Sequence, residues 1–152
     1  MSDTMSRTRI RAWLAAGIWG VAGAGFLITF FAGGGPWTFP EESGRHLAGA
    51  TALAFGFLGS WASLWLTRQR LGAPAAFDER DLATVARANQ ATLVVVLVAV
   101  FAFAIGLWTR YEAAGQVPVA WLWLLAYGSV ILASVAAPVA TLILDARSAS
   151  HG

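Results

Sequence analysis

Ala88 to Thr109 reads ANQATLVVVLVAVFAFAIGLWT, 22 residues without a charged side chain. A helix crossing the hydrocarbon core of a bilayer needs about 20 mostly apolar residues, so this stretch is long enough to span one. Three others accompany it. Ala12–Ala32 and Leu47–Thr67 each supply 21 uncharged residues, and Val119–Leu144 supplies 26, enough to span with tilt or to protrude. Leu, Ala, Val and Phe run through all four without strict alternation, which excludes barrel strands. Lipid cannot satisfy open backbone groups, which leaves helices. The sequence therefore predicts an all-α integral membrane protein. It is a four-helix bundle of antiparallel hairpins, one domain over residues 1–152, with spans at approximately 12–32, 47–67, 88–109 and 119–144.

Composition agrees. Of 152 residues, 58% are hydrophobic and 12% charged, where a soluble domain carries about 25% charged. Too little polar surface remains to coat a globule in water. With no cysteine, disulfides, thiolate metal sites and cysteine nucleophiles are excluded. All ten basic residues are Arg, which together with the Ala and Gly content reads as coding bias. The pI of about 9.9 accompanies a net charge of only +2. No basic face suited to nucleic acid follows from it.

The arginines set the orientation. The N-terminal segment, the middle loop and the C-terminal tail hold Arg7, Arg9, Arg11, Arg68, Arg70, Arg80, Arg87 and Arg147, whereas the two opposite loops hold only Arg45 and Arg110. The positive-inside rule places both termini in the cytoplasm of a multi-pass plasma-membrane protein. Trp37, Trp108, Tyr111, Trp121 and Trp123 gather at the outer boundary and Trp13, Trp61 and Trp65 at the inner one, the levels that amphipathic rings prefer. Trp19 falls deeper and reads as packing. The first apolar stretch is longer than the roughly 7–15 residues of a secretory signal and reads as an uncleaved anchor.

Gly33-Gly34-Gly35-Pro36 breaks the first helix. Ser43 suits the cap of the second, and Pro118 suits the first turn of the fourth. Small residues recur every four positions: Ala16, Gly20 and Ala24 in span one, and Ala48, Ala52, Gly56 and Ser60 in span two. Such stripes let backbones approach closely in lipid. They serve either a partner through Gly20 and Gly56 or contact between spans one and two of the same chain. Pro138 removes a backbone donor in span four, so a kink is expected there. Tyr127, Ser134 and Thr141 share a face with it at intervals of seven, as hydroxyls that relieve freed carbonyls or as a polar path.

The middle loop holds Asp78-Glu79-Arg80-Asp81, after the breaker Gly72-Ala73-Pro74. Asp78 is a good N-cap, and Glu79 and Asp81 set negative charge where the helix dipole is positive. Span three should thus begin as a cytosolic helical extension of about three turns, with Arg80 and Arg87 on one face. That face is either solvated or a docking site for a partner. The motif resembles the DER-type motif of an uncharacterised group of small prokaryotic multi-span membrane proteins, in which it sits in the cytosolic loop before a later span. Here Thr84 or Val85 stands where that group commonly has Ile. The resemblance implies no chemistry, since the group has no established activity.

Ionisable residues within spans are the usual functional signal in a bilayer, and the four stretches hold none. His46 lies at the outer end of span two and His151 in the cytoplasmic tail, so the two cannot share a haem. His46 alone reads as an interfacial residue facing headgroups or, as the alternative, as the ligand of a haem or chlorophyll-type pigment. Phosphate-loop, nucleophile-elbow and dinucleotide motifs are absent. The reading is a non-enzymatic accessory or regulatory subunit without cofactor or metal. It contacts lipid and either other membrane subunits or itself, through Asp78, Glu79, Arg80, Asp81, Arg87, Gly20 and Gly56. The alternative is a small homo-oligomeric transporter or channel.

Overall fold

The structure, a computed structural model, describes residues 7–71 and 79–149. Four long helices account for nearly all of them: α1, Arg7–Phe31; α2, Ser43–Leu71; α3, Glu79–Tyr111; and α4, Ala120–Ala149. No strand occurs among the described residues. Each helix is long and apolar enough to cross a membrane. The spans read from the sequence fall on these helices, with Ala32 and Val119 one residue outside.

α1 stops at Phe31 because glycines at positive φ follow it: Gly33 at 64°, Gly34 at 112° and Gly35 at 69°. Only Gly enters that region at little steric cost. The break strands the carbonyls of the last turn of α1 without amide partners. Arg45, in the first turn of α2, supplies them. Its Nε donates to the Thr29 carbonyl at 3.0 Å and its Nη2 to the Phe30 carbonyl at 2.7 Å. Its Nη1 donates to the Thr38 hydroxyl at 2.7 Å, and the guanidinium carbon stands 5.4 Å from the centre of the Phe39 ring. A cation there also suits the negative end of the α1 dipole. Hydrogen bonds to charged groups contribute about 1.5–3 kcal/mol each, so Arg45 fastens the α1–α2 connection.

α2 opens differently from expectation. Ser43 is its first helical residue rather than its cap. The Glu42 carbonyl accepts from the amides of Arg45 and His46 at 3.0 and 3.3 Å. Glu42 takes the extended backbone of a cap, φ −104° and ψ 93°, and its carboxylate lies 3.6 Å from Arg45. That ion pair favours the earlier residue.

α1 packs against both α2 and α4, and α4 packs in turn against α3, giving the order α2–α1–α4–α3. Missing side chains make the α1–α2 seam. A Cβ added to Gly49 would lie 3.4 Å from Phe26, one on Gly56 2.7 Å from Trp19, and one on Gly59 3.0 Å from Ile18. The α1 positions fall as the α2 positions rise. Against α4, a Cβ on Gly23 would meet Ile131 at 2.8 Å. The fully buried Phe26 and Phe30 lie 5.3 Å from the Tyr127 ring and 6.1 Å from the Trp121 ring. The core accordingly has two parts. Phe26, Phe30, Phe39 and Ala120 form one; Trp19, Ala22 and Leu53, closed by Ile131 and Val135, form the other.

α4 runs through Pro138 as one helix. The Thr141 hydroxyl donates to the Ala137 carbonyl at 2.9 Å, not to that of Ser134, the carbonyl whose amide partner the proline removes.

Candidate functional site

The sequence-predicted site divides among three places. Asp78 lies outside the described residues. Glu79, Arg80 and Asp81 form the first turn of α3, and their side chains are outside the description. α3 is unbroken from Glu79 to Tyr111, so the extension and the third apolar stretch are one helix. Arg87 is exposed on it. Gly56 is enclosed by Trp19 of the same chain, whereas Gly20 has open space where a Cβ would stand. The structure thus gives Gly56 an intramolecular role and leaves Gly20 on the outside of α1.

α3 has two unlike faces. Ala88 and Thr92 are buried, and Phe103 packs 5.9 Å from the Trp121 ring on α4. At the far end the Trp121 indole donates to the Tyr111 hydroxyl at 2.9 Å. Turned away from α4 is the run Val94, Val98, Phe101, Ile105 and Trp108, each about 59–67% exposed. Its alternating spacing of four and three residues is that of a helix-pairing seam. Stepping back by sevens from Trp108 through Phe101 and Val94 reaches Arg87 and then Arg80. A seven-residue step drifts only about 20° around a straight helix. Three such steps from Trp108 to Arg87 drift about 60°. Arg87 therefore lies on the same broad exposed side of α3 as the apolar run, which also carries Leu93, Val95 and Leu97, and the position of Arg80 lies one step further round.

Two cavities, each partly open to the surface, lie one toward each end of the packing, apart from an apolar cleft between α3 and α4. The first, of about 300 Å³, is lined by Phe26, Phe39, His46, Trp123 and Tyr127 among others. The His46 ring stacks on Trp123 at 5.6 Å and 25° and meets the edge of Phe39 at 4.6 Å. Its Nε2 is buried without a hydrogen-bond partner. The residue read as interfacial therefore sits within an aromatic cluster, an outcome of α2 and α4 meeting over Phe26. Among the described residues no group of three His, Cys, Asp or Glu is placed to hold a metal ion.

The second cavity, of about 330 Å³, is walled by all four helices and includes Arg11, Ser60, Asn89, Pro138 and Thr141. Arg11 Nε and Ser60 Oγ are buried there without partners. The apolar cluster of Trp19, Ala22 and Leu53 belongs to the α1 and α2 segments between the two cavities. Sequence reasoning missed this group, because Arg11 counted only as a basic flank and Ser60 only as one small residue of a stripe. A signal was present: Ser60, Ser63 and Thr67 recur at helical spacing in a span that is otherwise apolar.

No family model, no curated protein and no solved structure matches the chain.

Proposed function

We propose that this chain is a non-enzymatic, multi-pass membrane subunit that works by association through the free face of α3. The observation that carries the reading is the Val94–Trp108 run with Arg87 on the same broad side of α3 and the position of Arg80 one step further round. Lipid alone is satisfied by an apolar surface of any pattern. A run at seam spacing with arginine beyond its end complements one kind of occupant. That occupant is a helix of another subunit, apolar along its span and acidic at its cytosolic end. A parallel second copy would oppose Arg87 to Arg87 and is disfavoured.

In this reading the four helices cross the membrane as antiparallel neighbours with both termini cytoplasmic. The exposed Trp13, Trp61 and Trp65 at one end and Trp37 and Trp108 at the other support the crossing, since amphipathic rings prefer the two headgroup levels. A cysteine at Ser43 should react with an impermeant maleimide in intact cells and one at Ser148 should not. The reverse pattern would overturn the orientation.

Because the chain has no native cysteine, association can be mapped cleanly. Val98→Cys should cross-link in native membranes to an apolar segment of a foreign chain that carries Asp or Glu near its cytosolic end. Arg87→Glu should suppress that cross-link. Cross-links confined to lipid, or to a second copy, contradict the assignment.

One observation favours a second reading, a small-solute path. Tyr127 lines one cavity and Thr141 the other, on opposite sides of the apolar cluster. Solute flux into liposomes abolished by Tyr127→Phe or Thr141→Val would establish it; flux unaltered by both, or absent, would dismiss it.

A further inference from the structure

We infer that the cavity walled by all four helices is a binding site for a phosphate group, held by Arg11 and Ser60, with a phospholipid headgroup as its natural source. The inference stands apart from association through α3, whose stripe it does not use.

Among its described lining residues the cavity brings together donors and no acid. Arg11 lies one turn into α1, and its Nε is shut away from solvent without a hydrogen-bond partner. Ser60 Oγ on α2 is in the same condition. Asn89 adds an amide from α3. The neighbouring hydroxyls are already directed: Ser63 donates to the Ser60 carbonyl at 2.8 Å and Thr141 to the Ala137 carbonyl at 2.9 Å. They leave Arg11 and Ser60 as the groups in want of an acceptor.

Buried polar groups without partners cost free energy, about 1–3 kcal/mol for each neutral one and more for a charged one. They persist where something satisfies them. A carboxylate from the chain itself would do so, yet the described lining residues include no Asp or Glu. An anion from outside the chain supplies the missing acceptor in this proposal. The guanidinium fork matches phosphate oxygens in shape and charge.

Size and surroundings favour a headgroup. At about 330 Å³ the space is at the small end of ligand pockets, which run from about 300 to 1,000 Å³. It suits a phosphate with its ester carbons and not a whole lipid. Ala12, Ala15, Leu64 and Val85 form an apolar side to the same cavity, against which the start of the acyl region can lie. Arg11 precedes the first uncharged stretch by one residue, at the level where headgroups begin.

The test uses the full chain, purified in a non-ionic detergent and freed of lipid. Short-chain phosphatidylglycerol, short-chain diacylglycerol and inorganic phosphate are titrated separately, with binding read by calorimetry and by native mass spectrometry. Saturable binding of phosphatidylglycerol is expected, weakened at least tenfold by Arg11→Gln and measurably by Ser60→Ala. Arg110→Gln, at the opposite end of α3, should leave it unchanged. Diacylglycerol, which lacks the phosphate, should not bind. Saturable binding of inorganic phosphate that is lost in Arg11→Gln would support the phosphate site and assign it to a soluble source. Should Arg11→Gln fold poorly, Ser60→Ala and competition between phosphate and phosphatidylglycerol carry the test. Absence of saturable binding, equal binding by the diacylglycerol, or full affinity in both variants would overturn the proposal.

Discussion

α1 and α3 are both long apolar helices, yet the chain uses them in opposite ways. α1 lies between α2 and α4 and holds most of the buried core, including Trp19, Ala22, Phe26 and Phe30. α3 is the most apolar of the four by hydropathy and packs mainly against α4. Along it Val94, Val98, Phe101, Ile105 and Trp108 remain exposed. In water, apolarity drives burial. In a bilayer the tails are as apolar as Leu, so packing is decided by how closely backbones approach. α1 and its partner α2 carry Gly23, Gly25, Gly49, Gly56 and Gly59 at their contacts. α3 has a single glycine, Gly106, with open space beside it.

The largest expected effect separates two phenylalanines. Phe30 on α1 is wholly buried and Phe101 on α3 is 67% exposed. Phe30→Ala should destabilise the isolated chain by about 3–5 kcal/mol, the usual cost of emptying such a site. Phe101→Ala should stay within about 0.5 kcal/mol. Denaturation in mixed micelles reads both. Similar losses for the two would erase the distinction between the helices.

A smaller effect sharpens it. A side chain at Gly56 would run into the Trp19 ring, whereas Gly20 opens onto free space. Gly56→Leu should cost about 1–3 kcal/mol through overpacking, and Gly20→Leu should leave stability nearly unchanged. A stability loss at Gly20 with none at Gly56 would mean that the small residues of span two do not meet α1.

Much of this was legible from charge and hydropathy. The four stretches, the break at Gly33–Gly35 and the helix continuing from Glu79 through the third stretch all follow from local chemistry. Which small residues face which helix did not follow, because the four-residue stripe of Ala48, Ala52, Gly56 and Ser60 drifts around α2. The residues that meet α1 are Gly49, Ala52, Gly56 and Gly59. Arg45 was legible only as a charge. Its capping role depends on the α1 carbonyls that the glycine break leaves open, 15 and 16 residues earlier in the chain. The donors Arg11 and Ser60 were separated by nearly 50 positions, and only the register of α1 against α2 brings them to one cavity.

The most direct test of the central claim compares α3 in its native membrane with α3 alone. A spin label at Val98→Cys is exposed to oxygen dissolved in the lipid, first in native membrane vesicles and then after purification and reconstitution of the chain by itself. The account predicts a label shielded from oxygen in the native membrane and accessible once the partner is gone. A second label at Phe57→Cys, also on an exposed position, should be accessible in both. Equal, high accessibility at Val98 in the two preparations would contradict the account, because it would show that lipid alone covers the free face of α3.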